Sequence, residues 1–120
     1  MAFFNGSGKM NKSVDVSAKY HAQTINGVTP ISSIYARELN GVVTLNIKME
    51  ANFDKDTVNA IITADSGYEP QTNWVGSISP IDGNGGSISN VIQYSSGKGF
   101  SYRGKSINYA QYGNLVFFIA

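Results

Sequence analysis

The chain has 120 residues, a formal net charge of +1, only 14% charged residues and no cysteine. That length gives one domain with its own core, and the missing thiols exclude disulfides and thiolate metal sites. The near-neutral balance argues against a nucleic-acid binder, which carries a basic excess or stripe. No apolar run approaches the ~20 residues of a membrane-spanning helix.

Residues 1–12, MAFFNGSGKMNK, read as a flexible N-terminal arm ahead of a single all-β domain over 13–120. Ala2-Phe3-Phe4 is too short for a signal-peptide core, so the chain is expected outside a cell only by lysis or a specialised route. Gly6-Ser7-Gly8-Lys9 is a fragment of a phosphate loop without its leading glycine, its following Ser or Thr, or a preceding strand. From Ser13, Val14 and Val16 alternate with polar residues. Tyr20, Ala22 and Thr24 continue that strand weakly, and Asn26-Gly27 and Pro30 mark a turn.

The strongest local signal follows. Val43, Leu45, Ile47 and Met49 alternate with Thr44, Asn46, Lys48 and Glu50, which puts one apolar face on a strand. Asn40-Gly41 is the pair suited to two consecutive positive φ angles in a tight hairpin, and Ile34, Tyr35 and Leu39 supply the return strand. These alternating side chains are accounted for by a sheet face and its solvent side. Recognition is therefore expected elsewhere, on the loops of residues 82–112.

Asn52 to Asp56 reads as a polar connection, and the run from Val58 to Ala64 as a buried strand. Tyr68-Glu69-Pro70 is extended because a residue before proline is pushed out of the helical region. A strand over residues 72–79 carries the single Trp. Pro80 and Asp82-Gly83-Asn84-Gly85-Gly86 form a loop. Ile88, Asn90, Ile92 and Tyr94 then face one way, with Val91 on the other side. Short β-prone pieces at Phe100 to Arg103, Ile107 to Tyr109 and Leu115 to Ile119 close the chain. Tyr112-Gly113-Asn114-Leu115-Val116 echoes the hairpin and is read as a tight turn opening a strand. With no 3.6-residue period anywhere, short strands at roughly ten-residue spacing predict an antiparallel β-sandwich or Greek-key barrel.

Chemistry is thinly signposted. His21 stands alone, without Cys or a Gly-x-Ser-x-Gly elbow, so nucleophilic catalysis has no support. Asn52, Asp54 and Asp56 lack the glycine and distal Glu of a calcium loop and read as a solvated turn. No enzyme activity, metal or cofactor is expected. Saccharide recognition needs a ring face for the apolar side of the sugar and fixed polar groups for its hydroxyls. The second half of the chain is rich in both: Trp74, Tyr94, Phe100, Tyr102, Arg103, Tyr109 and Tyr112, with Asn73, Asp82, Asn84, Gln93 and Asn108 nearby. Trp74 serves either as core or as a platform. Tyr102 and Arg103, flanked by glycines, are expected to be exposed.

Tyr35-Ala36-Arg37-Glu38-Leu39-Asn40-Gly41-Val42-Val43-Thr44-Leu45 resembles the Y-x-R-x-x-G-N-x-V-x-L strand-turn-strand that opens the C-terminal heads of phage tail fibres and baseplate receptor-binding proteins, the lactococcal type included. Gly67-Tyr68-Glu69-Pro70 stands where those heads carry a Gly-Tyr-Arg-Pro turn, with Glu69 in place of the Arg and the Asn-Gly order reversed. The likeness covers roughly residues 33 to 80. It implies a non-enzymatic virion protein of the tail or baseplate, a homotrimer bound to other tail proteins, adhering to host wall polysaccharide or teichoic acid. It further implies saccharide contacts from Trp, His, Asp and Arg side chains, for which Trp74, His21, Asp82 and Arg103, with Asn84 and Tyr102, are the candidates. A structural tail module that binds protein and no sugar is the alternative, and a small β-sandwich hydrolase is a third reading.

Overall fold

A computed structural model of the chain describes residues 12–50, 60–80, 90–103 and 110–119, with backbone only for residues 74, 75 and 77–80. Among the described residues there are nine strands: β1 (Val14–Asp15), β2 (Tyr20–Ala22), β3 (Ile31–Leu39), β4 (Val42–Glu50), β5 (Ala60–Ala64), β6 (Trp74–Pro80), β7 (Asn90–Ser95), β8 (Gly99–Arg103) and β9 (Ala110–Phe118). All their ladders are antiparallel, in the order β1-β3-β4-β9-β6-β7-β8-β5-β2. The order folds over at the β9–β6 ladder, which has only three residue pairs. Strands β1-β3-β4-β9 then lie against β6-β7-β8-β5-β2, giving a two-layer sandwich rather than a closed barrel.

The hairpin forms as its sequence dictates. Asn40 and Gly41 have φ of 52° and 83°, the two positive values such a turn requires. The Glu38 carboxylate accepts from the Gly41 N–H at 2.8 Å and fixes the turn. Asn26 and Gly27 repeat the device at φ 52° and 80° between the bridged residues Ile25 and Val28. On β4, Val43, Leu45, Ile47 and Met49 point inward and are buried, the face that the alternation predicts.

The first expected strand breaks in two. Asp15 Oδ1 accepts from the Ser17 N–H at 2.9 Å, a side-chain turn that competes with the ladder, and residues Ser17–Lys19 form a 3-10 turn. Those hydrogen bonds hold the Asp15 carboxyl below its ordinary value, with Ser17 the main cause. The break lets β1 pair with β3 in one layer and β2 pair with β5 in the other. Ser17 ties the crossing down, since its Oγ accepts from the Ala36 N–H at 2.8 Å while the Val16 N–H donates to the Ala36 carbonyl at 2.9 Å.

Residues 112–116 are likewise no turn. They lie within β9, where Gly113 pairs with Ile47 and a Cβ at 113 would stand 3.1 Å from Ile47 Cγ1. The glycine serves close packing. The strand expected from Val58 is described from Ala60 on. The strand expected over 72–79 runs Trp74–Pro80, so that Pro80, expected in the loop, instead ends β6 opposite Gln111. The polar connection at 52–56, the rest of that loop at 82–86 and the strand at 107–109 lie outside the described residues.

The core is aromatic at its centre. Phe117 of β9 meets Tyr20 of β2 edge-on at 6.2 Å and Phe100 of β8 at 5.7 Å, and Phe100 in turn meets Tyr94 at 5.1 Å. Beside them a polar bridge crosses the sandwich. Asn90 Nδ2 donates to Gln111 Oε1 at 2.7 Å, and Gln111 Nε2 donates to the Tyr102 hydroxyl at 3.4 Å. Asn90 and Gln111 are buried, and burial of such groups is tolerable because they are hydrogen-bonded.

Candidate functional site

Of the residues singled out from sequence, Tyr102, Arg103, His21 and the backbone of Trp74 are described, and they lie at separate places. Tyr102 was expected at the surface beside its glycines, and it is fully buried. The period of two on β8 places it on the same inward face as Phe100, so the flanking glycines do not expose it. Arg103 is exposed at the end of β8, opposite Val91. His21 is exposed on edge strand β2, where its Nε2 lies 2.8 Å from Asp65 Oδ1. Trp74 pairs through its backbone with Tyr94. His21 and Trp74 thus lie four strand spacings apart in the sheet, about 19 Å at the usual separation. Asp82 and Asn84 lie outside the described residues. Among the described residues no three His, Asp or Glu side chains could share a metal ion, and no helix is long and apolar enough to cross a membrane.

Among the described residues a more developed surface is on the other layer, on the outward side of the hairpin. Pairing of β3, β4 and β9 sets four cross-strand rows side by side: Ser33–Lys48–Tyr112, Tyr35–Asn46–Asn114, Arg37–Thr44–Val116 and Leu39–Val42–Phe118. Successive rows are about 7 Å apart, since alternate residues of a strand share a face. Tyr35 and Tyr112 are 43% and 46% exposed, large values for aromatic side chains on a sheet face. They stand diagonally across β4 at the rim of a concavity of about 320 Å³ whose polar lining includes Ser33, Asn46, Lys48 and Asn114.

Both tyrosines are held. The Arg37 guanidinium lies 5.7 Å from the Tyr35 ring centre and donates to its hydroxyl. Arg37 is itself anchored by Ser13, whose Oγ accepts from Nε at 2.8 Å and whose carbonyl accepts from Nη2 at 3.2 Å. The Lys48 ammonium lies 5.9 Å from the Tyr112 ring centre and 2.9 Å from Glu50 Oε1. The hydrogen bond and charge of Glu50, with a smaller contribution from Tyr112, raise the Lys48 pKa above its ordinary value. Lys48 therefore presents an ammonium paired with Glu50 beside the Tyr112 ring, with the Asn46 and Asn114 amides lining the same hollow. Such an arrangement can stack a sugar ring and hydrogen-bond its hydroxyls.

Sequence reasoning placed this face on the hairpin's idle side. Tyr35 and Lys48 sit at the polar phase of their strands, and nothing local says that β9 lies next to β4. The available signal was β9 itself, which carries Leu115 and Phe117 on one phase and Tyr112, Val116 and Phe118 on the other. Compared with known proteins, the chain shows no significant match to a family model, a curated protein or a solved structure.

Proposed function

We propose that the chain is a non-enzymatic binding module of a phage tail or baseplate, located in the virion, that adheres to a host cell-surface saccharide through the outward face of β3, β4 and β9. The observation that carries the reading is the pair Tyr35 and Tyr112, exposed, each beside a cation, on the strands flanking Asn46 and Lys48. The resemblance of residues 33–80 to receptor-binding heads supports the setting, and with it a homotrimer attached to other tail proteins. Among the described residues no paired carboxylates accompany the face, and binding without turnover is the simplest use of it.

The test is titration of purified bacterial wall polysaccharide and teichoic acid into the protein. Tyr112→Ala and Tyr35→Ala are expected to weaken binding about tenfold each, the loss of one stacked ring, while thermal unfolding stays unchanged. No binding to either polymer by the intact chain overturns the reading. Loss of binding on Arg103→Ala with Tyr112→Ala silent moves the site to the second layer. A structural tail module that contacts protein is the second reading, favoured by Phe118, which is 65% exposed; it predicts a stable complex with another tail protein and no affinity for the wall.

A further inference from the structure

The four rows do not stop at the tyrosines. A second concavity of about 580 Å³ takes in Arg37, Leu39, Val42, Thr44, Asn46 and Phe118, among others. Asn46 lines both hollows, so they join along β4. From the Ser33–Lys48–Tyr112 row to the Leu39–Val42–Phe118 row is three steps, about 20 Å at the usual rise along a strand.

The strip is two-sided in its chemistry. Its β4 line reads Lys48, Asn46, Thr44, Val42, hydrogen-bonding at the first three positions and apolar at the last. Its β9 line reads Tyr112, Asn114, Val116, Phe118, apolar at three of four positions, with Val116 49% and Phe118 65% exposed. A protein packed here would have to cover the Asn46 amide and the Lys48–Glu50 pair within an interface. A sugar chain carries hydroxyls at its edges and C–H groups on its ring faces, so it can satisfy both lines at once.

Resting on the saccharide reading above, we propose that the ligand lies lengthwise along β4, and that the site takes several consecutive units of a polysaccharide rather than a single sugar. The Tyr35–Tyr112 hollow holds one part of the chain. The Leu39–Val42–Phe118 hollow holds units further along, through contact of Phe118 and Val116 with ring faces. Asn46, common to both hollows, hydrogen-bonds where the two parts meet.

The test uses bacterial wall polysaccharide, partially hydrolysed and separated by size, titrated into the full chain. Affinity is expected to rise at least tenfold from the disaccharide to the hexasaccharide fraction. Phe118→Ala should remove most of that gain while leaving disaccharide affinity within twofold, and Val116→Ala should do the same more weakly. Tyr112→Ala should lower affinity for both fractions. Equal affinity at every length, or a Phe118→Ala protein as good as the parent on hexasaccharide, overturns the lengthwise site and leaves the tyrosine hollow standing. No binding of any fraction overturns both readings together. Self-association of the parent chain that Phe118→Ala abolishes would put a second copy in the groove and also overturn the proposal.

Discussion

Tyr20 stands on a strand of three residues, yet its ring reaches Phe117 of the opposite layer and its hydroxyl donates to the Tyr68 carbonyl at 2.7 Å. Burial, reinforced by the nearby Tyr68 and Glu69, pushes the phenol far above its ordinary value. Burial likewise raises Tyr94, with Glu69 second. A phenol raised on folding favours the native state while it is protonated. That stability is complete below pH 10, the unfolded value, and is lost as pH climbs toward the folded one. Tyr20→Phe keeps the ring and removes the hydrogen bond, so it should cost about 1 kcal/mol at pH 7. It should also flatten the fall in stability above pH 10, leaving the slope that Tyr94 contributes; denaturant titrations at pH 7 and pH 11 measure both. Gly99 is the second sensitive point. Its φ is +96°, and a Cβ there would lie 2.7 Å from the Ile62 carbonyl oxygen. Backbone cannot yield as a side-chain tip does, so Gly99→Ala should destabilise by about 1–3 kcal/mol, seen as a lower denaturation midpoint with an unchanged slope.

The elements differ in how plainly their sequences announce them. The β3–β4 hairpin is written locally twice over, in the turn pair Asn40-Gly41 and in the alternation from Val43 to Met49, and both features are present. The inward phase of β7 is legible in the same way at Asn90, Ile92 and Tyr94. Three other elements mislead because their outcome is decided by partners distant in the chain. Val14 to Ala22 has the pattern of one strand, but the Asp15–Ser17 hydrogen bond and the Ala36 contacts split it between layers. Gly113 resembles a turn glycine until Ile47, 66 positions earlier, is placed against it. Tyr102 looks exposed from its glycine neighbours, whereas the phase of β8 and the Gln111 amide from β9 draw it inward. The candidate face fails to show for the same reason: its tyrosines, Tyr35 and Tyr112, come together only when β4 and β9 pair.

At the scale of the whole molecule, β9 carries both the stability and the proposed binding, one on each side. Phe117 is 3% exposed and sits where β2, β8 and β9 meet, so it links the two layers through ring contacts to Tyr20 and Phe100. Phe118, the next residue, is on the opposite phase of the strand, exposed and lining the groove. Phe117→Ala removes a buried ring and leaves a cavity between the layers, a change worth about 3–5 kcal/mol. Domains of this kind are stable by about 5–15 kcal/mol in total, so the variant should lose a large part of its margin and unfold at a markedly lower temperature. Both layers should melt in that one step, because Phe117 of one layer packs on Tyr20 and Phe100 of the other. Phe118→Ala should leave unfolding within about 0.5 kcal/mol of the parent, as exposed substitutions do, and show its effect only in affinity for long saccharide fragments. Measuring both variants by calorimetric melting and by titration separates the two sides of one strand. If Phe118→Ala melts as early as Phe117→Ala, the outward phase of β9 is structural, and the binding face loses its apolar half.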